Sequence, residues 1–109
     1  ISSMAGENKN KRMCSYGASK AAVNHLTRNM AFDLGPDNIR VNAIAPGAIR
    51  TAALGKVLTP EIEKTMLKHT PLARLGEGTD IAAAALYLVS PASAWVSGQV
   101  LTVSGGGLQ

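Results

Sequence analysis

The stretch SYGASKAAVNHLTRNMAFDLGPDNIRVNAIAPG, Ser15 to Gly47, reads as a long helix, a stop and a strand. Val23, Leu26, Met30 and Leu34 recur at spacings of three and four, the apolar stripe of a helix packed on one side. Ala18, Ala21, Ala22 and Ala31 add helix propensity and let neighbouring backbones approach closely. Gly35 followed by Pro36 supplies the stop, because glycine tolerates a left-handed cap and proline cannot continue the helix. IRVNAIA, residues 39 to 45, then reads as a strand, with Arg40 and Asn42 marking a face that is not wholly apolar. Pro46-Gly47 ends it. A loop just beyond a strand end is where open α/β sheets bind ligands, although an ordinary Pro-Gly turn gives the same pattern.

Outward from this core, Ile1-Ser2-Ser3 resembles the end of a strand, and residues 4 to 13 are polar and loop-like. Beyond Gly47, short helical pieces are expected from Thr51, the clearest beginning at Thr59-Pro60-Glu61. There a hydroxyl cap, a proline at the first helical position and an acidic first turn coincide. Ile62, Met66 and Leu67 would form its buried side, with Met66 suited either to an apolar ligand or to filling a gap. Pro71 and Gly76 would leave this segment bounded by flexible joints. A further helix is expected over Thr79 to Val89, capped by Thr79 and with Ile81, Ala84, Ala85 and Leu88 inward. QVLTVS, residues 99 to 104, reads as a last strand. Helices alternating with strands predict βαβ units and a parallel sheet covered on both faces. Three strands at most make a poor sheet alone. The start at Ile1, in what reads as a strand end, leads to the same expectation: part of the fold lies outside this sequence.

Composition narrows the function classes. With 109 residues, 46% hydrophobic and only 17% charged, the chain reads as one well-buried domain. The net charge of +4 is partly local, in Lys9, Lys11 and Arg12, and with so few aromatics it does not predict nucleic-acid binding. Cys14 is the sole cysteine, which excludes an intrachain disulfide and a thiolate metal cluster. His25 and His69 lack partners at metal-ligand spacing, so structural or surface roles are expected and no metal site. No run approaches the ~20 apolar residues of a membrane span, and a cytoplasmic protein is expected.

One pair carries chemistry. Tyr16 and Lys20 stand four apart, which places both side chains on one helix face. A cation favours a phenolate, so such a pair can serve as an acid/base device, while Ser3 could hydrogen-bond a reacting oxygen. By spacing alone such a tyrosine is more often a packing residue.

Taken together, Ser3, SYGASKAA (Ser15 to Ala22), NIRVNAIAPGAIRT (Asn38 to Thr51), DIAAAALYLVSP (Asp80 to Pro91) and SGQVLTVSGG (Ser97 to Gly106) resemble the second half of a short-chain dehydrogenase/reductase. The ENKN, HLTRNMAFDLG and TPEIEKTML…TPLARLG runs are most similar to its hydroxysteroid-acting members. The resemblance implies the C-terminal part of a Rossmann-type doubly wound parallel sheet, lacking the first βαβ half. Residues 1–109 would be a partial domain, with 52–74 an insertion covering the substrate. It implies an NAD- or NADP-dependent oxidoreductase interconverting a secondary alcohol and a ketone, with the 7α-hydroxyl of a steroid or bile acid as substrate. Another alcohol or a 3-oxoacyl compound is the alternative substrate. Tyr16 would be the acid/base, Lys20 would bind the nicotinamide ribose and favour the tyrosinate, and Ser3 would hold the substrate oxygen. Pro46, Gly47, Ile49, Arg50 and Thr51 would follow the cofactor from the nicotinamide toward the pyrophosphate. A homodimer or homotetramer is implied as well.

The departures are specific. No G-x-x-x-G-x-G occurs, so the isolated 109-residue chain is expected to be inactive. Ser104 stands where the family commonly has Asp, and Arg50 is bulkier than the apolar residue expected there. The alternative function is a non-catalytic structural or oligomerisation module.

Overall fold

A computed structural model describes residues 1–107. Its elements are α1 (Cys14–Leu34), β1 (Ala43–Pro46), α2 (Ala52–Gly55), α3 (Pro60–Leu67), α4 (Gly78–Val89) and β2 (Val100–Val103), with a 3-10 turn at Met4–Gly6. β1 and β2 pair in parallel, Ala43 opposite Val100 and Pro46 opposite Val103. On the other side of β1, Ser2 N–H donates to Ile44 O at 2.8 Å, so the extended first residues lie along it. Both α1 and α4 pack on β1. The most buried apolar residues are small or few: Ala5, Ala43, Ile44, Ala45 and Leu75. This is the expected α/β arrangement with a parallel sheet, of two strands among the described residues. No described helix is long and apolar enough to cross a membrane.

Several local expectations change. The inward face of α1 is centred on Asn24 and Thr27, not on the predicted stripe. Val23 and Leu34 are half-buried as expected, but Leu26 is 54% and Met30 38% exposed. Polar residues can face inward because their groups are satisfied: Thr27 Oγ1 donates to Val23 O at 2.8 Å, and Asn24 is bonded on both sides of its amide. Gly35 is right-handed, at φ −54°, and its N–H still reaches Ala31 O. Pro36 fits the first position of a further 3-10 turn, and Asn38 at φ 59° supplies the left-handed stop.

The strand expected over 39 to 45 begins only at Ala43. Before it, side chains replace the ladder. Arg40 Nη1 donates to Leu88 O (2.9 Å), Ser93 Oγ (3.1 Å) and Val96 O (3.3 Å). Asn42 bridges Val96 O and Gln99 N–H at 2.9 and 3.1 Å. These bonds fix the approach of the residues leading into β2.

In the segment after β1, Thr59 caps α3 as predicted, its hydroxyl accepting from Ile62 N–H at 3.2 Å. Ile62 itself is exposed, while Met66 and Leu67 are half-buried. Gly76 is not a loose joint. It bridges in parallel to Ile49, through Gly76 N–H to Ala48 O (2.9 Å) and Arg50 N–H to Gly76 O (2.8 Å). These two backbone bonds close the base of the segment, with the end of the Ile49 side chain lying against Gly76.

Helix α4 starts one residue before Thr79, and its cap comes from Asp80, whose Oδ2 accepts the Glu77 N–H at 2.7 Å. Arg74 adds a two-pronged pair to the same carboxylate at 2.8 and 2.9 Å. The Arg74 bonds, then the Glu77 N–H, lower the Asp80 pKa from 3.8 to about 2. The unfolded carboxyl therefore protonates first. The pair's contribution is full above pH 3.8 and is lost as pH falls through about 2. The thermal midpoint should consequently fall more over this window in the wild-type chain than in Asp80→Asn; equal falls would assign the acid sensitivity elsewhere.

Candidate active site

Ser3 is extended, at φ −161° and ψ 152°, and its hydroxyl oxygen accepts the Ala5 N–H at 3.1 Å, capping the 3-10 turn. That leaves the hydroxyl's own proton for another acceptor. The turn sits directly on the first turns of α1. A Cβ at Gly6 would lie 2.9 Å from Lys20 C, and one at Gly17 would lie 2.9 Å from Ala5 O. Glycine at both positions lets the two backbones touch, which brings Ser3 to the helix end that carries Tyr16. Gly6→Ala should therefore cost about 1–3 kcal/mol by overpacking. Chemical denaturation of the chain checks this, and an unchanged midpoint would mean the contact yields freely.

Tyr16 lies in the first turn of α1 and is half-exposed. Lys20 follows one helical turn later. Its Nζ lies 5.6 Å from the centre of the Tyr16 ring and donates to Ile1 O at 3.2 Å. The ammonium thus ties the phenol-bearing face of α1 to the residues just before Ser3.

A cleft of about 660 Å³ opens at the C-terminal end of the parallel pair. Ser3 and Tyr16 line it together with Pro46 and Gly47, which leave β1 there. Met4, Met13 and Met66 supply apolar wall, and Lys11 is the one lysine on its lining. The position matches the general rule that such sheets bind ligands beyond the carboxyl ends of their strands. A Cβ on Gly47 would lie 2.8 Å from Ser104 Cα, so the loop passes very close to the end of β2.

The remaining candidates stand apart from that cleft. Ile49 lines a second, smaller pocket of about 120 Å³ together with Gly76, Asp80 and Ser104. The bridge to Gly76 leaves the N–H and C=O of Ile49 out of its ladder. Arg50 pairs with Glu63 at 2.9 Å and Glu77 at 3.5 Å, linking α3 to the start of α4. Thr51 caps α2, its hydroxyl accepting the Leu54 N–H at 3.1 Å.

Several cleft residues escaped the sequence reading, among them Met4, Lys11, Met13, His69 and Thr70. His69 and Thr70 line the wall beside Met66. The signal was available, since 66, 69 and 70 follow helical spacing and share a face. His25 is on the surface as expected, its Nε2 3.2 Å from Asn29 Nδ2.

A family profile described as enoyl-(acyl carrier protein) reductase matches residues 1–107. The 7α-hydroxysteroid dehydrogenase of Escherichia coli K12 is 70% identical over 109 residues, all of this chain and 43% of that protein. A solved 7α-hydroxysteroid dehydrogenase, complexed with NADH and 7-oxo glycochenodeoxycholic acid, superposes with a TM-score of 0.95 at 70% identity, again over all of this chain and 43% of the other. A putative 2-deoxy-D-gluconate 3-dehydrogenase from Agrobacterium tumefaciens with bound NADP gives 0.92 at 37% identity, over 97% of this chain and 44% of the other. The chain therefore spans less than half the length of the curated relatives it matches. On the profile match, the Rossmann-type neighbours and the parallel α/β framework, the chain belongs to the short-chain dehydrogenase/reductase family.

Proposed function

We propose that this chain carries the substrate-side catalytic groups of a nicotinamide-dependent dehydrogenase that interconverts the 7α-hydroxyl and 7-ketone of a bile acid or related steroid. One observation carries the reading: Ser3 and Tyr16 share a largely apolar cleft at the strand ends, with Lys20 bonded behind them. About 660 Å³ falls within the range of pockets that enclose a drug-sized ligand.

The residues divide the work. Ser3 donates its free hydroxyl proton to the substrate oxygen and holds it beside the phenol. In oxidation Tyr16 Oη takes the proton leaving that alcohol; in reduction it returns one to the ketone oxygen. Lys20 places a positive charge next to the phenol and is the group to contact the nicotinamide ribose. NAD or NADP, when bound, accepts or supplies the hydride.

The residues here suit the nicotinamide end of such a cofactor. The Pro46-Gly47 turn gives it a close-packed floor, and the Ile49 N–H and C=O suit its carboxamide. Arg50 is paired with Glu63 and Glu77 in this arrangement, so a cofactor phosphate would compete with two carboxylates for it. The segment 52–74 covers the substrate, a reading supported by Met66, His69 and Thr70 in the cleft wall. Phe32, 87% exposed, and Trp95, fully exposed, support self-association of the whole protein.

The test uses a chimera in which this chain replaces the matching segment of the E. coli 7α-hydroxysteroid dehydrogenase. It should oxidise a 7α-hydroxylated bile acid and leave its 7β epimer and a 3-oxoacyl thioester nearly untouched. Preference for either competitor would overturn the substrate assignment.

A further inference from the structure

Asn24 is a buried amide that the proposed mechanism does not use. It is 2% exposed, sits one turn beyond Lys20 on α1, and is among the largest side chains fully enclosed. Its Nδ2 donates to Glu7 Oε1 at 2.9 Å. A carboxylate only accepts, so the amide's orientation is determined and Oδ1 must take the Ser2 hydroxyl. The same Ser2 Oγ lies 3.2 Å from Lys20 O. Ser2, like Asn24, is almost wholly buried, at 3% exposure.

The consequence is geometric. Residues 2 and 7 flank the turn that begins at Ser3, and one side chain grips both ends. Lys20 reinforces the grip through its ammonium, which donates to Ile1 O, while its carbonyl lies beside the Ser2 hydroxyl that Asn24 Oδ1 engages. Apolar packing could hold the turn on α1, but it would permit small slides. A buried amide bonded through both its N–H and its oxygen favours one register.

We infer that Asn24 is a positioning residue: by clasping Ser2 and Glu7 it fixes the Ser3 hydroxyl relative to Tyr16 and Lys20. The inference rests on the dehydrogenase reading above. A displacement of about 1 Å at a reacting group can cost roughly a hundredfold in rate.

The test is a double-mutant cycle in the chimera. Asn24→Leu should lower kcat by about tenfold to a hundredfold, with KM for steroid and nucleotide changed by less than about threefold. In a Ser3→Ala background the same substitution should cost less than about threefold, since the group it positions is gone. Glu7→Ala, at an exposed site, should repeat the pattern more weakly. Glu7→Gln, which keeps an oxygen to accept from Asn24, should restore the rate. Equal losses with and without Ser3, or a Glu7→Gln variant as impaired as Glu7→Ala, would overturn the positioning role. A Ser3→Ala chimera as active as its parent would instead remove the role given to Ser3 in the dehydrogenase reading, and the inference with it.

Discussion

Tyr16→Phe in the chimera should reduce turnover by about a hundredfold to ten-thousandfold, the usual contribution of a positioned acid/base. The substitution removes one oxygen from a half-exposed ring at the start of α1 and leaves the ring in place. Tyr16 Oη makes no hydrogen bond to another described residue, so no buried partner is orphaned. The thermal midpoint should stay within a degree or two of the parent. Nucleotide affinity should also hold, because the ring still stands beside Lys20. A loss of rate with stability and binding retained identifies a group acting on the reacting oxygen. Near-full turnover by the Phe variant would refute the role assigned to Tyr16.

Lys20→Met should give the second largest loss, about a hundredfold in kcat/KM, divided between weaker nucleotide binding and slower chemistry. Methionine keeps most of the aliphatic stem and so preserves its packing along the helix. The ammonium is lost from beside the Tyr16 ring, and with it the bond to Ile1 O. Steady-state kinetics with varied nucleotide separates the two parts. Unchanged KM and kcat together would contradict the double role.

The βαβ order could be read from the sequence because each element announces itself locally. The helix-strand alternation, the Pro46-Gly47 strand end and the Thr59-Pro60 cap depend on near neighbours. The buried face of α1 did not announce itself. Hydrophobic periodicity selects Leu26 and Met30, whereas the face is set by Asn24, whose partners Ser2 and Glu7 lie 22 and 17 residues away. Residues 39 to 42 have strand-like bulk, yet Arg40 and Asn42 spend their polar groups on carbonyls more than 45 residues later. Thr79 looked like the cap of α4, but the Arg74–Asp80 pair holds the carboxylate where it accepts the Glu77 N–H.

The site shows the same division. Ser3, Tyr16, Pro46 and Gly47 were recognisable from motif and family likeness, and they line one cleft. Arg50 followed the same motif, but its charge is taken by Glu63 and Glu77 across the chain, a pairing no local pattern encodes. His69 and Thr70 could have been found from their helical spacing to Met66, had the cleft wall been sought beyond the motif.

The most direct measurement is formation of reduced nicotinamide by the chimera supplied with a 7α-hydroxylated bile acid and NAD or NADP, with the 109-residue chain assayed alongside. The account predicts turnover by the chimera and none by the chain alone. A folded, nucleotide-binding chimera without turnover, or turnover by the chain alone, would contradict it.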